Sequence, residues 1–259
     1  MPYCETSDGE RIWWESEGPP DAPPLLFSNS LGTNLAMWDG QVDEAAESYR
    51  VIRYDQRGHG RSAAPAGEYT LERLGRDVIE LLDALGIVTT RFCGLSMGGM
   101  TGIWLLIHHP ERFERAALCN TAAHMPPPEM WNERIRAVTE KGMGALVAGV
   151  TERWFTPAFR KENPQEVERI AAQIRATEPA GYAGCCAAIR DMDQRAALSR
   201  ISKPSLVLIG DCDPATTPEQ GELLLDNIAG AKKAVLHAAH LSNVEQPQRF
   251  NAAVLAFLR

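Results

Sequence analysis

One stretch of seven residues, from Cys93 to Gly99, constrains the fold more than any other part of the chain. It reads Cys-Gly-Leu-Ser-Met-Gly-Gly, and it joins an apolar, strand-like run to a helix-like segment. A serine between glycines in this setting indicates a sharp turn that projects the hydroxyl beyond a sheet edge. Gly94 and Gly98 have no Cβ atoms to clash where strand and helix nearly touch. Ser96 is therefore the predicted nucleophile.

The rest of the chain alternates short apolar runs with amphipathic segments. Residues 2–17 read as a hairpin that turns at Asp8-Gly9, and residues 71–85 are the clearest helix, with six apolar side chains on one face. Buried strands are predicted at 25–28, 50–54, 91–95, 116–120, 204–209 and 234–237. This alternation predicts an α/β fold with a mostly parallel, doubly wound sheet.

The pattern changes between residues 123 and 192. This stretch contains no strand-like run, and it is rich in Met, Trp and helix-forming residues. The alternation of strands and helices resumes after it and ends in a helix predicted at 244–258. We therefore predict a core formed by residues 1–122 and 193–259, with a helical lid at 123–192 inserted in it.

Charge and composition exclude several classes of function. The net charge of −8 comes from 26 Lys and Arg against 34 Asp and Glu, without a basic cluster, which argues against nucleic-acid binding. No apolar run approaches the roughly 20 residues that span a bilayer. The N-terminus lacks the features of a signal peptide, and the six cysteines form no C-x-x-C pair. We expect a cytoplasmic protein with free thiols that acts on a small molecule.

A serine nucleophile needs a base, and the base needs an orienting carboxylate. Folds with this serine turn carry the three groups in the order Ser, Asp or Glu, His, each at the carboxyl end of a strand. His240 lies in the short loop between the last strand and the last helix and is the predicted base. His237 ends the strand itself, and the other four histidines lie in positions typical of turns and helix ends.

Two aspartates follow the strand at 204–209, and either one satisfies the chain order. Asp211 comes directly after the strand, where a carboxylate commonly accepts bonds from local amides. Asp213 lies two residues further on, before a proline, and can reach towards the histidine. Asp213 is the predicted acid.

Acyl transfer also needs two backbone N–H groups aimed at the developing oxyanion. One is the amide of Met97, directly after the nucleophile. The second is expected from the loop after the strand at 25–28, where Leu31 lies in the turn-rich stretch Asn29–Gly32. That stretch by itself also fits an ordinary turn. The combination with a complete triad favours the functional interpretation.

Several motifs together resemble the 3-oxoadipate enol-lactonases of the α/β-hydrolase superfamily, and the resemblance covers essentially the whole chain. The widespread motifs are Arg-Tyr-Asp-Gln-Arg-Gly-His-Gly-Arg-Ser at 53–62 and Phe-Cys-Gly-Leu-Ser-Met-Gly-Gly at 92–99. More specific ones are Ser-Asn-Ser-Leu-Gly-Thr at 28–33, Arg-Trp-Phe-Thr-Pro-Ala-Phe at 153–159 and Gly-Tyr-Ala-Gly-Cys-Cys at 181–186. The resemblance implies an α/β-hydrolase fold and the same triad and oxyanion residues.

The resemblance further implies hydrolysis of 3-oxoadipate enol-lactone to 3-oxoadipate, in the β-ketoadipate branch of aromatic degradation, with no metal or organic cofactor. This substrate bears a free carboxylate, so we expect a cation in the pocket. The candidates in the insertion are Arg134, Arg136, Arg153 and Arg190, with Trp131 and Trp154 as apolar walls.

Other functions use the same fold and triad. A general carboxylesterase, a C–C hydrolase of ring-cleavage products and a cofactor-free perhydrolase or haloperoxidase are the alternatives. A binding protein on an inactive hydrolase fold is a further alternative, which the intact serine, aspartate and histidine disfavour. The motifs of the insertion favour the lactonase.

Overall fold

The structure is a computed structural model that describes residues 2–259, and within that range it contains one eight-stranded sheet. The strands are β1 (Tyr3–Glu5), β2 (Arg11–Glu17), β3 (Pro24–Ser28), β4 (Arg50–Tyr54), β5 (Thr90–Leu95), β6 (Phe113–Cys119), β7 (Ser205–Gly210) and β8 (Lys232–Leu236). Their order across the sheet is β1-β2-β4-β3-β5-β6-β7-β8. The strands from β3 to β8 pair in parallel, while β1 and β2 pair antiparallel. The predicted mostly parallel α/β sheet is confirmed.

Helices cover both faces of this sheet. They are α1 (Asp39–Ala46), α2 (Leu71–Ala84), α3 (Met97–His108), α4 (Pro128–Lys141), α5 (Val147–Trp154), α6 (Pro157–Glu162), α7 (Pro164–Ala176), α8 (Pro179–Asp191), α9 (Pro218–Asn227), α10 (Ser242–Glu245) and α11 (Pro247–Leu258). Successive side chains of a strand point to opposite faces, so Phe27 and Leu26 of β3 belong to two separate apolar cores. Among residues 2–259, no helix combines the length and hydropathy needed to cross a bilayer.

Five helices, α4 to α8, lie between β6 and β7 in the stretch predicted as a lid. A single antiparallel bridge joins His124 to Asp193, so the two ends of this helical segment (residues 123–192) lie side by side. Such neighbouring ends are typical of an insertion between two consecutive strands of a core. The division into core and lid stays a prediction.

The last strand and the last helix differ from the sequence expectation. The helix predicted at 244–258 is broken into α10 and α11, because Pro247 restricts Gln246 to a non-helical conformation, with φ −133° and ψ 54°. Strand β8 begins at Lys232, before the predicted start at residue 234. Lys232 and Lys233 are exposed on this edge strand, where lysines are common and an apolar pattern does not mark the boundary.

A buried ion pair anchors the turn that follows β4. Both nitrogens of the Arg57 guanidinium fork donate to Asp77 of α2, with Nε at 2.8 Å from Oδ2 and Nη2 at 2.7 Å from Oδ1. Each side chain is only 2% exposed. Arg57 Nη2 also bonds Asp8 (3.0 Å), whose side chain is 40% exposed, so removing Asp77 leaves the buried charge with only a partly solvated partner. The position of the turn therefore depends on Asp77.

We expect Asp77→Asn to lower the free energy of unfolding by about 3 kcal/mol, because the Arg57 charge remains buried. The matched control is Glu72→Gln on the same helix. Glu72 forms an ion pair with Arg76, and the two side chains are 57–58% exposed. An exposed pair contributes about 0.5 kcal/mol or less. Urea titration followed by circular dichroism measures both variants. Equal losses in the two would contradict the structural role of the Arg57–Asp77 pair.

Candidate active site

Ser96 lies at the junction of β5 and α3 in a conformation that L-residues rarely adopt, with φ 58° and ψ −119°. Its backbone is tied on both sides: its amide donates to the Cys119 carbonyl (3.0 Å), and its carbonyl accepts from Thr121 Oγ1 (2.7 Å). A Cβ at Gly98 would overlap the Ser28 carbonyl, so glycine allows α3 to begin against the end of β3. The serine is thus held on the predicted strained turn.

His240 and Asp213 form a buried pair at the ends of β8 and β7. The His240 Nδ1 atom lies 2.8 Å from Asp213 Oδ2, and the two side chains are 3% and 0% exposed. An ionised carboxylate only accepts, so Nδ1–H donates to it and Nε2 is free to take a proton. The Trp154 ring packs beside the imidazole, with ring centroids 5.8 Å apart.

The Asp213 carboxylate accepts from several donors besides His240. Its Oδ1 accepts from the amides of Ala215 (2.8 Å) and Thr216 (3.0 Å). Its Oδ2 accepts from Thr216 Oγ1 (2.7 Å) and Asn120 Nδ2 (3.0 Å). Burial alone would raise the pKa of Asp213, but the charge of His240 and these hydrogen bonds hold that pKa below its usual value. The carboxyl group of Asp213 is therefore ionised at neutral pH.

Sequence reasoning missed Asn120 and Thr216. Asn120 directly follows β6, at the sheet edge where Ser96 and Asp213 lie, and its φ of 42° is one that asparagine tolerates better than most residues. It also donates to the Ala239 carbonyl (3.2 Å) and accepts from Ser242 Oγ (2.5 Å). Its position after a buried parallel strand was the available signal.

The disfavoured alternatives, Asp211 and His237, pair with each other at the surface. Their closest atoms, Asp211 Oδ1 and His237 Nδ1, are 3.0 Å apart, and the side chains are 44% and 73% exposed. Cys212 is a third exposed residue, and its Sγ atom lies within 4.8 Å of an Asp211 carboxylate oxygen and of a His237 ring nitrogen. This exposed group takes no part in the buried Asp213–His240 network.

The structure brings the predicted acid and base into contact and places the predicted nucleophile at the same sheet edge. Within residues 2–259, no hydrogen bond joins Ser96 Oγ to His240 Nε2. Catalytic hydrogen bonds are commonly long before substrate binds. Ser96 is 7% exposed, so the hydroxyl lies in a largely enclosed space.

The two predicted oxyanion donors lie on adjacent strand ends, because Ser28 of β3 pairs with Gly94 of β5. Met97 is the first residue of α3, so its amide has no intrahelical acceptor. In the part of the chain that the structure describes, the Leu31 amide donates to no backbone or side-chain acceptor. Both residues are buried, which leaves two N–H groups available for a ligand oxygen.

The four candidate arginines differ in their surroundings. Arg190 pairs with Glu68 (3.1 Å) and Asp191 (2.7 Å), and Arg136 is exposed. Arg134 and Arg153 are half-buried, and among residues 2–259 neither forms an ion pair. Burial and the nearby Arg134 charge both lower the pKa of Arg153. Two neighbouring cations without an acidic partner are an unusual feature.

Tyr182 connects this cationic region to the oxyanion loop. Its buried ring packs against Gly32, where an added Cβ would lie 3.2 Å from Cε2. Burial raises the pKa of Tyr182, and the neighbouring charges of Arg134 and Arg153 oppose that effect. Trp131 supports Arg134, whose guanidinium carbon lies 4.9 Å from the ring centroid. The predicted Trp131, Arg134 and Trp154 thus lie near the loop or the base.

An open groove of about 1470 Å³ lies beside α6. Its lining includes Arg153, Phe155, Phe159 and Ala239, but neither Ser96 nor His240. The groove therefore adjoins the site without containing the reactive atoms.

Comparison with known proteins agrees with this fold. The profile of the family described as alpha/beta hydrolase fold matches residues 23–247. The chain is 47% identical to 3-oxoadipate enol-lactonase 2 of Acinetobacter baylyi, over 98% of this chain and 95% of that protein. An enol-lactonase structure from Burkholderia xenovorans is 43% identical with a TM-score of 0.97, covering 99% of both chains.

A hydrolase structure from Pseudomonas aeruginosa is 48% identical, also with a TM-score of 0.97, and covers 99% of this chain and 97% of that one. The match to the family profile and the identities to these relatives extend over nearly the full length of the chain. The chain therefore belongs to the α/β-hydrolase family, in the group of enzymes that includes the 3-oxoadipate enol-lactonases.

Proposed function

We propose that this enzyme hydrolyses 3-oxoadipate enol-lactone to 3-oxoadipate through an acyl-enzyme on Ser96. The buried Asp213–His240 pair, at the same sheet edge as the strained serine, is the observation that carries the proposal. The 47% identity to the protein named 3-oxoadipate enol-lactonase 2 supports the choice of this lactone. We place the reaction in the cytoplasm, in the β-ketoadipate pathway of aromatic catabolism.

In the proposed first step, Ser96 Oγ attacks the lactone carbonyl while His240 Nε2 takes the hydroxyl proton. Asp213 stabilises the imidazolium that forms and fixes its tautomer. The carbonyl oxygen becomes an oxyanion that accepts from the amides of Leu31 and Met97. Such donors stabilise the tetrahedral intermediate more than the ground state, which is what accelerates the reaction.

Collapse of this intermediate breaks the ring bond between the carbonyl carbon and the enol oxygen. His240 returns its proton to that oxygen, and the enol tautomerises to a ketone, which favours ring opening. Water activated by His240 then attacks the ester on Ser96 and releases the second carboxylate. Every step uses side chains and backbone amides, so the proposal includes no metal or organic cofactor.

We propose that Arg134 and Arg153 bind the carboxylate that the lactone already carries. Among residues 2–259 they are the half-buried candidate arginines that form no ion pair, and Tyr182 connects them to the loop of Leu31. A carboxylate between two guanidinium groups forms charge-assisted hydrogen bonds and removes their mutual repulsion. Trp131 and Trp154 form apolar walls, and the helical segment 123–192 acts as the lid that carries these residues.

Ser96→Ala is expected to lower kcat for the enol-lactone at least about a thousandfold while leaving the fold intact, because no other group replaces the nucleophile. Steady-state kinetics and circular dichroism measure the two effects. Ser48→Ala, at an exposed site, is the control. A residual rate above about a thousandth of wild type would contradict the role of Ser96.

Comparison of two substrates separates the lactonase from the alternative functions. We expect kcat/KM of the wild-type enzyme to be higher for the enol-lactone than for p-nitrophenyl acetate, because only the lactone has the carboxylate that the arginines bind. Preference for the simple ester would favour a general carboxylesterase. Peroxide-dependent bromination faster than lactone hydrolysis would favour a haloperoxidase.

The two aspartates of one loop provide a matched pair of variants. Asp213→Asn is expected to lower kcat about 10³- to 10⁴-fold, because the amide no longer fixes the tautomer of His240 or stabilises its cation. Asp211→Asn changes an exposed residue of the same loop and is expected to leave kcat within about twofold. The reverse order of effects would assign the acid to Asp211.

The double variant Arg134→Met, Arg153→Met tests carboxylate binding. We expect KM for the enol-lactone to rise at least about 100-fold, since the variant removes two charged hydrogen bonds of about 1.5–3 kcal/mol each. KM for uncharged p-nitrophenyl acetate is expected to stay within twofold, as is KM for both substrates in the Arg136→Met control. An unchanged KM for the lactone in the double variant would contradict this role.

A further inference from the structure

One buried histidine takes no part in the proposed triad chemistry. His59 lies in the turn after β4 and is 1% exposed. Its Nε2 atom accepts a hydrogen bond from the amide of Gly32 at 2.7 Å, and its Nδ1 atom lies 3.2 Å from the Arg57 carbonyl. Since an amide can only donate, Nε2 carries no proton. Nδ1 therefore holds the ring proton and donates it to Arg57.

This arrangement requires a neutral ring. Protonation of Nε2 would turn the acceptor into a second donor that faces the Gly32 N–H. Burial lowers the pKa of His59 to about 4, an effect only partly opposed by the Arg57 carbonyl. The imidazole is thus neutral at the pH where a serine–histidine pair works, and its tautomer is fixed.

The Gly32 amide belongs to the loop that carries the proposed oxyanion donor Leu31. The Ser30 carbonyl accepts from the Thr33 amide (3.1 Å) and from Thr33 Oγ1 (2.7 Å). In a planar trans peptide the N–H points opposite to the C=O, so these two bonds fix the direction of the Leu31 N–H. The next peptide, between Leu31 and Gly32, is held by His59.

We propose that His59 is a positioning residue of the oxyanion hole, a neutral imidazole that holds the Gly32 amide and, together with the Ser30–Thr33 bonds, keeps the Leu31 N–H aimed at the reacting carbonyl. The proposal rests on the acyl transfer by Ser96 proposed above. It assigns a role to the His of the Arg-Gly-His-Gly motif. His59 acts through backbone alone and touches no reacting atom.

The surroundings of His59 favour this role over simple core packing. The turn is itself held in place: the Arg57 carbonyl accepts from Cys185 Sγ (3.4 Å), and Gly58 lies in backbone contact with Gly181 of α8. From the other side, Thr177 Oγ1 donates to the Gly32 carbonyl (3.1 Å). Gly32 is thus fixed at its N–H by the core and at its C=O by the helical segment.

Substitution of His59 by Gln and by Asn separates two effects, which are the loss of the acceptor for the Gly32 amide and the loss of the volume of the ring. The side-chain oxygen of Gln reaches the position of Nε2, so His59→Gln retains an acceptor for the Gly32 amide. The shorter Asn reaches only the position of Nδ1, so His59→Asn keeps a group near the Arg57 carbonyl and loses that acceptor. His109→Asn, at the distant end of α3, controls for loss of a histidine.

The substrate is p-nitrophenyl acetate, with active sites counted by the burst of p-nitrophenol, so the test does not depend on the identity of the natural lactone. Ser96→Ala is measured first. Its inactivity towards this ester establishes that the measured hydrolysis is acyl transfer by Ser96. We expect His59→Asn to lower kcat about 10- to 100-fold with KM within twofold, because a misplaced donor loses transition-state stabilisation. His59→Gln is expected to recover most of that loss.

Affinity for phenylboronic acid, which forms a tetrahedral adduct with the serine, is expected to fall in His59→Asn by the same factor as kcat/KM. Equal losses of kcat in the Asn and Gln variants, or unchanged boronate affinity in His59→Asn, would overturn the proposal. If His59→Asn does not fold, ¹⁵N NMR of the wild-type ring decides. An unprotonated Nε2 from pH 6 to 9 supports the proposal, and an imidazolium or an Nε2–H tautomer overturns it.

Discussion

The positive φ of Ser96 is the constraint on which the rest of the site depends. A non-glycine residue in such a conformation costs about 1–3 kcal/mol and persists only where its surroundings hold it. Here the amide of Ser96 bonds to β6, its carbonyl accepts from Thr121 and from the Met100 amide, and glycines bring α3 against the ends of β3 and β5. The same turn that projects the hydroxyl also frees the Met97 amide at the start of α3. The proposed nucleophile and the proposed oxyanion donor Met97 thus both result from the turn at this one strained residue.

A parallel sheet explains why residues so far apart in sequence meet around this serine. The carboxyl ends of parallel strands lie at one edge, so the loops after β3, β5, β6, β7 and β8 all converge there. Asn120 shows how closely they are joined, because its side chain bonds both to Asp213 after β7 and to Ala239 after β8. The proposed acid and base are consequently fixed relative to each other in the free protein.

Sequence reasoning predicted the elements with a strong periodic pattern and the residues that a known chemistry requires. The parallel strands, the turn at Ser96 and the contact between Asp213 and His240 belong to this group. It could not predict residues that act only on another residue. Asn120, Thr216 and His59 are ordinary polar residues of turns until the fold shows what their side chains contact.

The four candidate arginines also show what sequence alone cannot predict. All four lie in one helical stretch, and nothing in the sequence separates Arg190 from Arg134. The difference is tertiary: Glu68 comes from the loop before α2 and pairs with Arg190, whereas Arg134 and Arg153 face each other's charge. The role of a charged side chain depends on which groups it contacts, and contacts with residues distant in sequence can be identified only from the fold.

The net charge of −8 repels an anionic substrate at long range. At physiological ionic strength, however, exposed charges more than about 8 Å away are largely screened, so the local pair of guanidinium groups determines the field at the proposed binding site. Burial and the Arg134 charge lower the pKa of Arg153, so both burial and repulsion by Arg134 disfavour its charged form in the free enzyme. A bound carboxylate would remove that repulsion and add hydrogen bonds to both groups. In this proposal, a source of substrate affinity is the electrostatic strain that the free enzyme retains.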